Sequence, residues 1–343
     1  IVDTSADPAT DNNITLQQSS SDSGTAVTAA SSFYLRGGEY NIFVINEQYA
    51  DTPVQTDETK PTPIISIENL DNYIHDNRIS VKDLYLQISS MGDEKPGIVE
   101  GNDLPDFNPD DEYLKEVKSP IFYAVQKNIN IQTGQPTVME FDMQRISQRI
   151  NIIFNIRTEG NIKKEDLSAP IIELSGTCGR FNISDACLDT TRLYRTVHQV
   201  QPDEFTQTGE GTYRCAVHFH TLGIIPSAAK GHLNGPGILQ VALQVSTPQL
   251  DAAGAPVLDA DGNPVKNSRY IYGAINPYDE LTAAQLIEMR DGKTYLRYSK
   301  EDVNIEITTP LVIKADKIVP NDTGMGWQPH DPSNPDDDII IEI

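Results

Sequence analysis

Phe33-Tyr-Leu-Arg-Gly-Gly-Glu-Tyr-Asn-Ile-Phe-Val-Ile-Asn46 sets aromatic and β-branched residues on both sides of a Gly-Gly pair. It reads as two strand pieces bent at Gly37-Gly38, because such side chains suit a pleated surface and glycine tolerates the bend. The same style recurs along the chain. Strands are expected at Ile64–Ile67, Asp83–Ser89, Pro120–Ile131, Thr137–Met143, Gln148–Arg157 and Pro170–Thr177. The second half adds Leu193–Val200, Thr212–Leu222, Gly237–Ser246, Ser268–Ile275, Thr294–Tyr298, Val303–Lys314 and Ile339–Ile343. Short strands punctuated by Gly, Pro and Asn predict an all-β protein, with two β-sandwiches in tandem.

Helix signals are few. Tyr278-Asp-Glu-Leu-Thr-Ala-Ala-Gln-Leu-Ile-Glu-Met-Arg290 predicts a helix, with Asp279 as its cap, acids in the first turn and Gly292 as its stop. The expected organisation is a leader over 1–30, a first sandwich over 31–188 and a second over 189–343. The seam falls at the turn-like residues Asp185–Thr191. The Ser/Thr/Asp-rich leader offers little apolar surface, and reads as a tether with a short strand at Ile14-Thr-Leu16. Residues 91–112, dense in Pro, Gly and acid, read as a surface excursion.

Charge narrows the partners. The 343 residues carry 50 Asp and Glu against 26 Lys and Arg, a net charge of −24. A surface this acidic repels a phosphate backbone, so nucleic acid is not an expected partner, and anionic lipid headgroups are repelled likewise. No run of about 18 apolar residues occurs, so no membrane-spanning helix is expected. The three cysteines, Cys178, Cys187 and Cys215, form no CxxC pair and read as buried thiols. The opening Ile1-Val-Asp-Thr-Ser-Ala-Asp-Pro8 lacks Met and reads as the trimmed start of an exported protein.

Chemistry-bearing motifs are weak. Asp259-Ala-Asp-Gly-Asn263 opens like an EF-hand loop. However, glycine stands fourth instead of sixth, and the twelfth position is Tyr270, so a turn is expected. The segment echoes Asp251-Ala-Ala-Gly-Ala-Pro-Val257 eight residues earlier, and the two predict the tip of a long hairpin. The Asp331–Asp338 run reads as a solvated charge run. Period-two alternation puts His218 and His220 on one strand face, but two imidazoles without further ligands predict polar surface residues, not a zinc site. There is no Gly-x-Ser-x-Gly elbow and no phosphate-cradling loop, and Trp327 is expected to plug the base of the second sandwich. No catalytic residue, cofactor or metal is expected.

The end of the chain carries a distinct pattern. In Asp336-Asp-Asp-Ile-Ile-Ile-Glu-Ile343, Ile339, Ile341 and Ile343 share one strand face. Two readings stand open: a last strand paired within its own sandwich, or a strand donated to a neighbouring subunit.

Three fragments resemble the fimbrillin-like family of Bacteroides type. Residues 33–46 resemble its apolar-Leu-x-Gly-x-Tyr opening strand. Phe122-Tyr-Ala with Met143-Gln-Arg-Ile-Ser-Gln-Arg-Ile-Asn-Ile-Ile-Phe-Asn-Ile156 is similar to a strand of its first domain. Tyr295-Leu-Arg-Tyr-Ser-Lys-Glu-Asp-Val-Asn-Ile-Glu-Ile307 resembles the late strand pair of anchor and tip relatives. The resemblance implies tandem transthyretin-like Greek-key sandwiches, export as an outer-membrane lipoprotein, and assembly into or beneath a fimbrium with other pilus subunits. It implies cleavage after a basic residue near the start, for which Arg36 is the nearest candidate, although Arg36 lies inside a predicted strand. Membrane attachment would run only through an N-terminal lipid, whose Cys is not within this sequence. The expected function is thus a non-enzymatic cell-surface adhesion subunit binding other subunits or host or bacterial surface ligands. The alternatives are a surface glycan-binding protein and an acid-pair glycoside hydrolase.

Overall fold

A computed structural model of the chain describes residues 37–46, 64–70, 80–91, 112–135, 137–160, 162–233, 235–298, 300, 302–315, 317–321 and 326–329. Among these described residues strands dominate and form four sheets. The first joins β1 (Gly38–Ile45), β4 (Phe122–Ile131) and β5 (Gln144–Arg145) in that order. The second runs from β2 (Ile65–Glu68) through β3 (Tyr85–Ile88), β8 (Arg180–Asn182), β9 (Cys187–Leu188) and β16 (Lys293–Leu296) to β15 (Ile287–Arg290). The third is ordered β10 (Leu193–Gln199), β7 (Ile171–Cys178), β13 (Leu239–Pro248), β14 (Lys266–Ile275) and β19 (Gln328–Pro329). The fourth is ordered β11 (Phe205–Gly209), β12 (Thr212–Thr221), β6 (Gln148–Glu159), β17 (Asp302–Lys314) and β18 (Lys317–Val319).

Alternation explains why these sheets stack in pairs. On β6, Ile150, Ile152, Phe154 and Ile156 are buried while the intervening residues are half-exposed. They meet Ile172 and Leu174 of β7 and Val241, Leu243 and Val245 of β13 in one core, so the third and fourth sheets form a sandwich. Trp327 closes it, as expected: it is 1% exposed, its ring centroid lies 5.3 Å from that of Phe154, and Nε1 donates to the Thr309 carbonyl at 2.9 Å. A second core holds Phe43 and Tyr123 of the first sheet against Leu86, Ile88, Phe181 and Leu296 of the second. Tyr123 and Phe181 meet edge to face at 5.3 Å across it. Burying each such side chain contributes about 1.5–3 kcal/mol, so these faces dominate the folding energy.

β17 runs parallel to β6, while the other strand pairs among the described residues run antiparallel. Its register slips between Ile307 and Leu311, where Pro310 offers no amide to the ladder.

The seam expected at 188/189 does not follow the sheets. β6 and β7 precede it, yet they pair with β12, β17, β10 and β13, all of which follow it. The β15–β16 hairpin joins β9 in the sheet that holds β2 and β3. The turn-like residues near 185 make a hairpin instead of a linker. Asn182 Oδ1 accepts the amides of Ser184 at 3.1 Å and Asp185 at 2.8 Å, and β8 and β9 pair across the turn.

Two local expectations are also corrected. The helix α1 spans only Tyr278–Ala284 and ends at Gln285 in the left-handed region, while Ile287–Arg290 becomes β15. Asp291 (φ 49°) and Gly292 (φ 74°) then form a tight hairpin turn to β16, so this glycine turns a hairpin and does not stop a helix. Asp279 pairs with Lys230 instead of capping the helix, whose N-cap position is Pro277. Thr137–Met143 is not a strand. Its Met139 and Phe141 pack on a small cluster around Tyr40 and Ile42, and the Glu140 carbonyl accepts the Gln126 amide at 2.5 Å.

Candidate functional site

The third sheet would end at β10, leaving a row of unpaired backbone groups. Residues 112–117 cover part of that edge. The Leu114 amide donates to the Arg195 carbonyl and the Arg195 amide to the Glu112 carbonyl, both at 2.9 Å, in parallel pairing. The far side of this strap is paired too. Met91 N donates to Tyr113 O at 2.7 Å and Lys115 N to Ser89 O at 2.9 Å. Farther on, Val117 pairs with His220 of β12, so the strap passes from the third sheet to the fourth across the flank of the sandwich. Covering a sheet edge in this way removes a template for indiscriminate pairing.

Buried side chains pin the strap on both of its faces. Leu114 and Val117 enter the core that also holds Tyr194 and Leu222. Tyr113 donates its hydroxyl to Glu173 Oε2 at 2.6 Å, and Glu173, 0% exposed, is ion-paired with Arg195. A buried carboxylate in an otherwise apolar strand is stable only when so matched. Glu112 pairs with Arg192. Glu116 Oε1 lies 3.3 Å from His198 Nδ1, and the other ring nitrogen of His198 lies 2.8 Å from Glu204 Oε2. Beneath these groups Ile172, Leu174, Thr196 and Phe219 line a cavity of about 10 Å³, the size of one water.

His198 and Glu116 are electrostatically matched. Burial depresses the His198 imidazole, but hydrogen bonds to Glu116 and Glu204 and their charges outweigh it, so its pKa is raised. The hydrogen bond to His198 holds the Glu116 carboxyl below its ordinary range. His220 behaves oppositely. Burial first, then the Arg145 and Arg149 charges, lower it to about 4, so this imidazole is neutral.

The sequence-level candidates are placed as follows. His218 and His220 do lie on the outward side of β12, but only His218 is exposed; His220, 9% exposed, is bridged through its backbone to Val117 of the strap and lies near Arg145. Among the described residues, no group of three or more His, Cys, Asp or Glu side chains is placed to hold a metal. Asp259 Oδ1 accepts the amides of Asp261 at 2.9 Å and Asn263 at 2.8 Å, and Asp251 Oδ1 does the same for Ala253 and Ala255. The eight-residue echo thus builds two like turns. Gln249, Val257 and Val265 close a ring of three backbone hydrogen bonds at 2.8 Å, and Leu250 and Leu258 stand exposed at equivalent places. The three thiols are buried and unpaired, and burial pushes that of Cys178 up to about 12. Arg36, Ile339, Ile341, Ile343 and the Asp331–Asp338 run lie outside the described residues.

Sequence reasoning missed Tyr113, Glu116, Glu173, Arg195 and His198. One signal was available: Glu173 interrupts the apolar run Pro170-Ile-Ile-Glu-Leu174, which asks for a buried partner. Nothing local identifies that partner, because Tyr113 lies 60 residues away.

No protein-family model and no curated protein matches the chain. Among solved structures, the chain is similar to a candidate adhesin from Bacteroides ovatus, at 9% identity over 82% of this chain and 76% of that one, with a TM-score of 0.39. It is also similar to a candidate polysaccharide-binding protein from Bacteroides thetaiotaomicron, at 12% identity, 82% and 72% coverage and a TM-score of 0.35. A candidate adhesin from Bacteroides thetaiotaomicron is similar at 10% identity, 85% and 74% coverage and a TM-score of 0.37.

Proposed function

We propose that this chain is a non-enzymatic cell-surface adhesion protein, a fimbrial subunit of accessory, anchor or tip type that joins its partners by strand addition. The observation that carries the reading is the strap at β10. An extended segment is held there by main-chain hydrogen bonds while Tyr113, Leu114 and Val117 are buried, and main-chain pairing with buried side chains is also what holds an added strand between chains. The fimbrillin-like fragments quoted above supply the family context, including the transthyretin-like Greek-key connectivity, lipoprotein export to the outer membrane and cleavage at Arg36. In this proposal Ile339, Ile341 and Ile343 are the donated face and other pilus subunits are the partners.

The test is subunit joining by the full chain, read by size-exclusion chromatography and gel ladders after protease treatment. Ile341→Asp is expected to abolish joining and leave the monomer folded, because a charge cannot enter an apolar groove unpaired. Joining that survives this change, unfolding of the variant monomer, or a wild-type chain that never joins a subunit rejects the reading.

A second reading, surface glycan binding, draws on Tyr270 and Tyr272. They sit two residues apart on the outward face of β14 with ring centroids 6.5 Å apart. Titration calorimetry against polysaccharides tests it, with binding lost in Tyr270→Ala as the supporting result and no binding by the wild type as the rejecting one.

A further inference from the structure

His198 is placed where one proton decides how many of its neighbours are satisfied. Its side chain is 12% exposed, and its two ring nitrogens face carboxylates from two different segments: Glu116 on the strap and Glu204 in the turn after β10. A neutral imidazole carries one N–H and can donate to one of them, leaving a nitrogen lone pair against the other carboxylate. Only the imidazolium donates to both. The two partners are not equally secured. Glu204 Oε2 also accepts the Gln201 amide at 2.8 Å, whereas Glu116 lies at the longer distance of 3.3 Å and is the more exposed, at 38% against 10%.

We propose that His198 is a proton-operated pin: doubly protonated, it fastens residues 112–117 across the flank of the sandwich made by the third and fourth sheets, and on losing a proton it releases Glu116 and loosens the strap from the β10 edge.

Other charged and polar groups stand close by. Lys118 lies near Glu116, and His218 Nδ1 lies 3.6 Å from Glu204 Oε1. His220, which lines the same cavity, is neutral above about pH 4. From β7 only Ile172 and Leu174 face the cavity, and Thr196 adds a hydroxyl. The sign follows from linkage. A histidine raised in the closed form stabilises that form below its ordinary pKa, and the contribution disappears as pH climbs through the raised value. Glu116, lowered in the closed form, contributes above the ordinary carboxyl range and fails only in acid. The strap is therefore tightest between the two and opens on the alkaline side. This inference does not depend on the adhesion reading, since it concerns only the isolated chain.

Two measurements on the wild-type chain test it. The His198 titration is followed by NMR, and hydrogen exchange of the 112–117 peptide, corrected for intrinsic rate, is followed across the same pH range. The expected result is a midpoint above the ordinary imidazole value, with strap protection falling through that midpoint by about tenfold for each unit of the rise. His198→Gln should erase the step, Glu116→Gln should return the His198 midpoint toward the ordinary value, and His218→Gln should leave the step in place. Protection that is flat across the measured midpoint, or a midpoint at or below the ordinary value, overturns the proposal even if the variants fail to fold.

Discussion

Tyr113 Oη and Glu173 Oε2, 2.6 Å apart and 60 residues apart in sequence, join the strap to β7, the second strand of the third sheet, through a carboxylate that has no solvent exposure. The bond is charge-assisted and buried, so it fixes where the strap lies as well as how firmly it is held. Tyr113→Phe is expected to lower unfolding stability by about 1.5–3 kcal/mol, as for a hydrogen bond to a charged group. Urea unfolding checks this, and a loss under about 0.5 kcal/mol would show that the bond is replaced by water.

Gly176 adopts φ 79°, and a methyl group added there would sit 2.6 Å from the Gly237 amide nitrogen and 2.7 Å from the Ile225 carbonyl oxygen. Both obstacles are backbone, which cannot swing aside. Gly176→Ala should therefore cost about 2 kcal/mol or more, combining left-handed strain with the clash, and thermal unfolding reads it directly.

Trp327 is the single tryptophan of the chain and is buried against Phe154. Its emission should be blue-shifted in the folded protein and move red on unfolding. Trp327→Ala should cost about 3–5 kcal/mol by leaving a cavity under β17. Red-shifted native emission would contradict the burial.

His220 gives a pH dependence on the acid side. Its folded pKa, about 4, lies below that of the unfolded chain, so the unfolded state binds the extra proton first. Stability should be fully present above the ordinary imidazole value and fall as pH drops toward 4, then level off for this group. An NMR titration that finds His220 charged near pH 6 would remove the basis for this prediction.

The thiols offer a simple count. All three are buried, and burial pushes those of Cys178 and Cys215 up, so the thiolate is scarce near neutral pH. A disulfide-exchange reagent should label none of the three quickly in the folded chain and all three after denaturation.

What the sequence determined by itself was local. Alternation in Gln148-Arg-Ile-Asn-Ile-Ile-Phe-Asn-Ile156 specified a strand with one core face, and the Gly- and Asp-rich echo at 251–265 specified a hairpin tip. Each of these is written in neighbours two or eight residues apart, within reach of steric and hydrogen-bonding rules. Even there, Asp291-Gly292 lay beside a stronger helical pattern, and only pairing with β16 decided that 287–290 became a strand. Tertiary structure alone decided which strands share a sheet, so β6 and β7 joined partners beyond residue 188, against the order of the chain. It also brought Tyr113 to Glu173, and Glu116 and Glu204 to His198. Backbone hydrogen bonds and buried charges are satisfied by whatever lies close in space, and nothing in a period-two pattern records which distant segment that will be.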